Sequence, residues 1–152
     1  MNSPERNPAL APLEKFVTVP WSTEDAFRRF TVGIDTWWPK STHSVGGDKV
    51  TRVAIDARVG GDVYEEGEDG KISVWGTILV WDEPNLVSFT WHPGRDAKTA
   101  QTVEVRFRAT AEGAVVDLVH DGWEQLGEKG AEARANYDAG WEGVLEHYTA
   151  QK

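Results

Sequence analysis

The side chains of this 152-residue chain with most to offer chemically are four histidines, eight tryptophans and a few tyrosines, in a sequence without cysteine. His43 stands in the Ser/Thr/Gly-rich stretch Thr42-His43-Ser44-Val45-Gly46. An imidazole there can orient a polar ligand head, donating or accepting according to its tautomer, or pin its own loop through a backbone hydrogen bond. His120 shares a strand face with Val116 and Leu118, which makes it either a polar group of a pocket or a buried histidine with its own partners. His92 precedes Pro93 at a strand end and is read as exposed, and His147 lies near a helix end where it suits the dipole. Acid–base chemistry among apolar walls would fall to His43, His120, Tyr137 or Asp117, although Asp117 alternates out of phase with Val116 and Leu118 and so points to water. No serine occupies a nucleophile elbow, and no catalytic residue is assigned.

Other chemistries lack their residues. The missing thiols remove disulfides, thiolate zinc sites and a cysteine nucleophile together, and fit a reducing compartment. There is no His-Glu-x-x-His and no histidine pair at ligand spacing, so no metal is expected. The acidic run Glu65-Glu66-Gly67-Glu68-Asp69-Gly70 lacks the alternating ligands of a calcium loop and reads as a hairpin tip. No glycine-rich phosphate motif is present, and no cofactor is expected. A net charge of −9, from 25 acidic and 16 basic residues, argues against a nucleic-acid surface. The N-terminus has no apolar run of the secretory kind, and no stretch approaches the roughly 18–20 apolar residues of a membrane span. The expectation is a soluble cytoplasmic protein, monomer or homodimer.

The elements that must position these residues can be read in order. Residues 1–12 hold three prolines and no periodicity and are read as a disordered tail, with one domain over 13–152. Residues 13–21 form a strand rich in β-branched and aromatic side chains. Ser22, with Asp25 three residues on, caps a short helix over 23–31 that has Ala26, Phe27 and Phe30 on one face. Ile34, Trp37 and Trp38 mark a second short helix ended by Pro39. Adjacent helical side chains diverge by about 100°, so only one of Trp37 and Trp38 should enter the core while the other caps a pocket mouth or stays half-exposed. Six strands follow over 49–58, 62–66, 72–81, 86–92, 101–110 and 114–121, joined by short loops as in an antiparallel meander. Val103, Val105 and Phe107 alternate with Glu104, Arg106 and Arg108, as on a sheet with one wet face. Alternation alone does not fix which face of the Trp75 strand points inward. A last helix carries Tyr137, Trp141, Val144, Leu145 and Tyr148 on one stripe, with Gly140 and Gly143 leaving close approach to the sheet or space beside Trp141. The fold class is α+β, in the order strand, two helices, six strands, helix.

Several short motifs carry a resemblance. Trp37-Trp38-Pro39 with Thr42-His43-Ser44-Val45-Gly46, Val59-Gly60-Gly61-Asp62-Val63-Tyr64 and Trp75-Gly76-Thr77-Ile78 are followed by Trp81-Asp82-Glu83-Pro84 and Leu86-Val87-Ser88-Phe89-Thr90-Trp91. Gly122-Trp123 and Gly140-Trp141-Glu142-Gly143-Val144-Leu145 complete the set. Together, over about 13–149, the chain resembles the bacterial branch of the activator-of-heat-shock-protein-90-ATPase-like family, within the START-like (SRPBCC) superfamily. The resemblance implies a helix-grip fold, in which a curved antiparallel sheet wraps the C-terminal helix, and a pocket beneath that helix. It implies an apolar small molecule or lipid as ligand. The alternatives are a polyketide cyclase or dehydratase-like enzyme, and a co-chaperone with a chaperone partner. Chaperone activation carries over weakly, because the eukaryotic activators have an additional N-terminal domain. The expected pocket residues are Trp37, Trp38, His43, Trp75 and Trp91, with Phe107, His120, Tyr137, Trp141 and Leu145 from the later elements.

Overall fold

Seven strands form one curled antiparallel sheet in a computed structural model that describes residues 7–152. They are β1 (Leu13–Val19), β2 (Val50–Ile55), β3 (Asp62–Gly67), β4 (Ile72–Asp82), β5 (Leu86–Trp91), β6 (Gln101–Thr110) and β7 (Gly113–Asp121). Their spatial order is β1-β7-β6-β5-β4-β3-β2, so β2 to β7 run as a meander and β1 closes on β7. Helix α1 (Thr23–Phe30) follows β1, and α2 (Gly130–Thr149) crosses the concave face.

Local chemistry explains the starts and stops. The Ser22 hydroxyl accepts from the Asp25 N–H at 3.1 Å, capping α1, whose Ala26, Phe27 and Phe30 are buried. On β6, Val103, Val105 and Phe107 are buried while Arg106 and Arg108 are exposed. Gly122 opens the turn after β7 with φ 95°, a left-handed conformation that glycine adopts without steric cost. The Tyr148 hydroxyl donates to the Ala26 carbonyl at 2.7 Å, and Lys15 reaches Asp138 at 2.5 Å and Glu142 at 3.0 Å. These contacts seat α2 on α1 and β1.

Strand β4 answers what alternation left open, because it carries two irregularities. Val63 pairs with Gly76 but Tyr64 with Val74, leaving Trp75 as an extra residue. Ile78 pairs with Phe89 but Val80 with Ser88, leaving Leu79 extra. Each bulge resets the two-residue period, so Trp75, Ile78 and Trp81 all turn toward the core at intervals of three. Gly76 is required there, since a Cβ at this position would lie 1.7 Å from the Thr90 carbonyl oxygen.

Two expectations are corrected. Residues 34–38 are not a helix but a single 3-10 turn, Ile34–Thr36, after which Trp37 takes φ −129°. Freed from helical geometry, both indoles are buried: Trp37 lies between Phe30 and Tyr148, and Trp38 between Trp75, Trp91 and Trp141. The N-terminal stretch read as a tail is described only from residue 7. Residues 1–6 lie outside the described residues, but Pro8–Leu10 forms a 3-10 turn, Leu10 packs on the core, and the Arg134 guanidinium donates to the Ala11 carbonyl at 2.6 Å.

Candidate functional site

Between the loop after Trp38, the end of β5 and the middle of α2 lies an open cavity of about 340 Å³. Its apolar wall is aromatic: Trp38, Trp91, Trp141 and the ring of Tyr137. Thr42, His43, Ser44 and Val45 form one side of the mouth, and Pro93, Gly94 and Gly140 another. Adding a Cβ to Gly140 would place it 3.9 Å from His43 Nε2, so the missing side chain keeps the mouth open between helix and loop.

The tryptophans behind this wall form one packed group. Ring centroids are 5.2 Å apart for Trp38 and Trp75, 5.5 Å for Trp75 and Trp91, and 5.6 Å for Trp91 and Trp141, in tilted or edge-on arrangements. Each indole N–H is taken up inside the protein. Trp38 Nε1 donates to the His43 carbonyl at 2.8 Å, and Trp75 Nε1 to Glu65 Oε1 at 2.7 Å. Trp91 Nε1 donates to Tyr137 Oη at 3.1 Å, and Trp141 Nε1 to His120 Nδ1 at 3.0 Å. The wall therefore offers a ligand ring faces and edges rather than indole donors.

Polar character enters at two points. Tyr137 Oη accepts from Trp91, which leaves its own O–H to donate; burial raises the phenol above its ordinary pKa and keeps it a neutral donor. His43 Nδ1 lies 2.7 Å from Thr42 Oγ1, and its backbone carbonyl holds Trp38. Partial burial, then repulsion from His147, lowers the His43 pKa, so its exposed ring faces the mouth as a neutral imidazole.

His120 is the satisfied buried histidine rather than a cavity group. An indole N–H can only donate, so Nδ1 accepts from Trp141 and the proton resides on Nε2, which donates to Gln101 Oε1 at 3.2 Å. Gln101 Nε2 in turn donates to the Thr99 carbonyl at 2.7 Å. Burial lowers the His120 pKa to about 3. The ring stacks between Trp123, at 4.1 Å, and Tyr137, at 4.8 Å.

Of the residues expected at a pocket, the fold brings Trp38, His43, Trp91, Tyr137 and Trp141 to this cavity. It places the others in the core, outside the cavity lining. Trp37 packs under α1 with Nε1 donating to the Arg29 carbonyl, Phe107 lies against Phe27 and Phe30, and Leu145 is buried in the core. Trp75 backs Trp38, and His120 backs Trp141. Glu65, read from sequence as part of a hairpin tip, is 4% exposed and accepts from three donors beside the mouth. Its signal was its phase: two residues beyond buried Val63, it falls on the inward face of β3. Among the described residues no group of three or more histidines and carboxylates converges as a metal set, and no helix is long and apolar enough to cross a membrane.

Comparison with known proteins fits this architecture. Residues 20–150 match the family described as Activator of Hsp90 ATPase homolog 1-like protein. An anthrahydroquino-γ-pyrone synthase, solved as a complex, is 32% identical with a TM-score of 0.58, over 85% of this chain and 88% of that one. A Bacillus halodurans protein solved in solution has a TM-score of 0.66 at 19% identity, covering 92% of this chain and 95% of its own. The Aha1 dimer from Colwellia psychrerythraea has a TM-score of 0.65 at 12% identity, over 91% and 93% of the two chains. No curated protein matches the chain.

Proposed function

This chain belongs to the Activator of Hsp90 ATPase homolog 1-like family, and on that premise we propose that it binds a planar, largely apolar small molecule in the aromatic cavity beneath α2. The observation that carries the reading is the direction of the indole N–H groups. Trp38, Trp91 and Trp141 all turn theirs into the protein, leaving stacking surface toward the cavity. A fused aromatic ring system exploits such faces by offset and edge contacts. The Tyr137 O–H adds a single donor, suited to a carbonyl or phenolic oxygen on the ligand rim. The cavity, about 340 Å³, lies at the small end of ligand pockets, which run from about 300 to 1,000 Å³. A cytoplasmic setting accords with the cysteine-free composition.

A second reading, catalysis on such a ligand, is favoured by one observation. The 32% identical structure is named as an anthrahydroquino-γ-pyrone synthase. In this chain His43 at the mouth is a neutral imidazole able to accept a proton, and Tyr137 can donate a hydrogen bond to a carbonyl oxygen as negative charge develops on it.

The test is native mass spectrometry of freshly purified protein, then titration of intrinsic tryptophan fluorescence with anthraquinones, flavonoids, fatty acids and sterols. Saturable quenching by the planar aromatics, lost in Trp141→Ala but not in an exposed-surface variant, is expected. Quenching by fatty acids alone would overturn the planar-ligand reading, and silence across the panel would overturn ligand binding at this site. Turnover of a bound aromatic ketone that disappears in both His43→Gln and Tyr137→Phe would establish the catalytic reading.

A further inference from the structure

We infer that Glu65 is a latch: its carboxylate fixes the loop that forms one side of the cavity mouth, and release of that loop widens the mouth for the ligand. The inference rests on the cavity being the binding site. The loop over 39–46 has two halves held in different ways. Its first half is stapled locally, with the His43 N–H donating to the Pro39 carbonyl at 2.9 Å, Trp38 Nε1 to the His43 carbonyl, and the Ser44 hydroxyl to the Lys40 carbonyl. Its second half is held across the sheet by one side chain. The Val45 N–H donates to Glu65 Oε1 at 2.6 Å and the Gly46 N–H to Oε2 at 2.8 Å, while Trp75 Nε1 fixes the carboxylate from behind at 2.7 Å.

Three features set this junction apart from ordinary core. Val45 is 50% exposed and lines the cavity, so the residue gripped by the latch is itself a piece of the mouth. A second cavity, of about 450 Å³, lies on the other side of the junction and is lined by Val45, Gly46, Lys49 and Glu65, which gives the released segment a volume to enter. Gly46 is seated so closely that a Cβ there would lie 3.1 Å from Glu65 Oε2 and 3.0 Å from Val50 Cγ2. The Val45 and Gly46 amides thus share one carboxylate, whose two oxygens are aimed at two successive N–H groups. Donor–acceptor pairing of this kind is lost stepwise when an oxygen becomes an NH₂ group, which faces one of those amides donor to donor.

The test needs no natural ligand. Amide hydrogen exchange and acrylamide quenching of tryptophan fluorescence are measured on the full chain, for wild type, Glu65→Gln and Gly46→Ala. Gly46→Ala, at φ −85°, presses on the latch from the loop side while leaving the carboxylate in place. Each variant is expected to speed exchange of the Val45 and Gly46 amides about ten-fold, the loss of one good hydrogen bond, with β6 amides unchanged and acrylamide quenching increased. If Glu65→Gln unfolds, the Gly46→Ala measurement decides. Unchanged loop exchange, or exchange that rises equally through β3, β4 and β6, would overturn the latch and leave Glu65 a general stabiliser of the fold. Faster loop exchange with a ligand panel that stays silent would sustain the latch and refute the ligand reading, so the two fail separately.

Discussion

The indole N–H of Trp141 donates to Nδ1 of His120 at 3.0 Å, so a residue in the cavity wall is aimed by a histidine behind it in the core. That bond assigns the His120 tautomer and commits the ring to the neutral form. It also turns the Trp141 donor away from the cavity.

Because His120 is held neutral, with its pKa lowered to about 3 by burial, the folded chain resists protonation that the unfolded chain accepts near pH 6.5. The stabilisation is fully present above pH 6.5 and is lost as pH falls from there toward 3. Urea denaturation should show about 2–3 kcal/mol of this loss between pH 7 and pH 4.5. The check is His120→Gln, in which that part of the pH dependence should vanish. A variant whose pH profile parallels wild type would assign the acid sensitivity to other groups.

At neutral pH, His120→Ala removes the partner of two buried groups, Trp141 Nε1 and Gln101 Oε1, and leaves a void between Trp123 and Tyr137. A loss of about 3–5 kcal/mol is expected in equilibrium unfolding. Trp141→Ala should fall in the same range, since Trp141 is buried and touches both the cavity and the core.

Tyr137→Phe separates fold from binding. It removes the acceptor for Trp91 Nε1, at a cost of about 1–2 kcal/mol in thermal or urea unfolding. If the O–H also meets a ligand oxygen, affinity for a ring ketone should drop about ten-fold relative to the same ring system without the carbonyl. Equal losses for both ligands would place the ketone elsewhere in the cavity.

Gly140 offers a graded block. Alanine there meets His43 Nε2 only at ordinary contact distance and improves helix propensity, so α2 should gain up to about 1 kcal/mol while binding is little changed. Leucine at the same position projects into the mouth, and titration should show binding lost while the melting temperature stays near that of wild type.

The sequence alone was enough for the order of the seven strands and of helices α1 and α2, and the reasons are local. Ser22 caps α1 through a bond three residues long, Val103, Val105 and Phe107 hold a two-residue phase on β6, and Tyr137 to Tyr148 hold a helical stripe on α2. The motifs of the Trp-rich segments also named the family. Five of the twelve residues that line the cavity were legible for the same reason, because Trp38, His43, Trp91, Tyr137 and Trp141 belong to elements whose inward faces are periodic or whose motifs are distinctive.

Tertiary structure decided the rest, wherever the period breaks or a partner lies far along the chain. Two bulges reset the phase of β4, so the inward position of Trp75 depends on how β3 and β5 pair with it. Trp37 and Trp38 are both buried because they leave a 3-10 turn into two different aromatic neighbourhoods, which helical spacing does not describe. His120 and Glu65 took their roles from donors 21, 20 and 19 positions away, at Trp141, Val45 and Gly46. Hydrogen bonds between such distant residues exist only once the sheet has curled and α2 has docked. A histidine or carboxylate on an inward strand face is visible in the sequence, but its partner, and therefore its chemistry, is set by the fold.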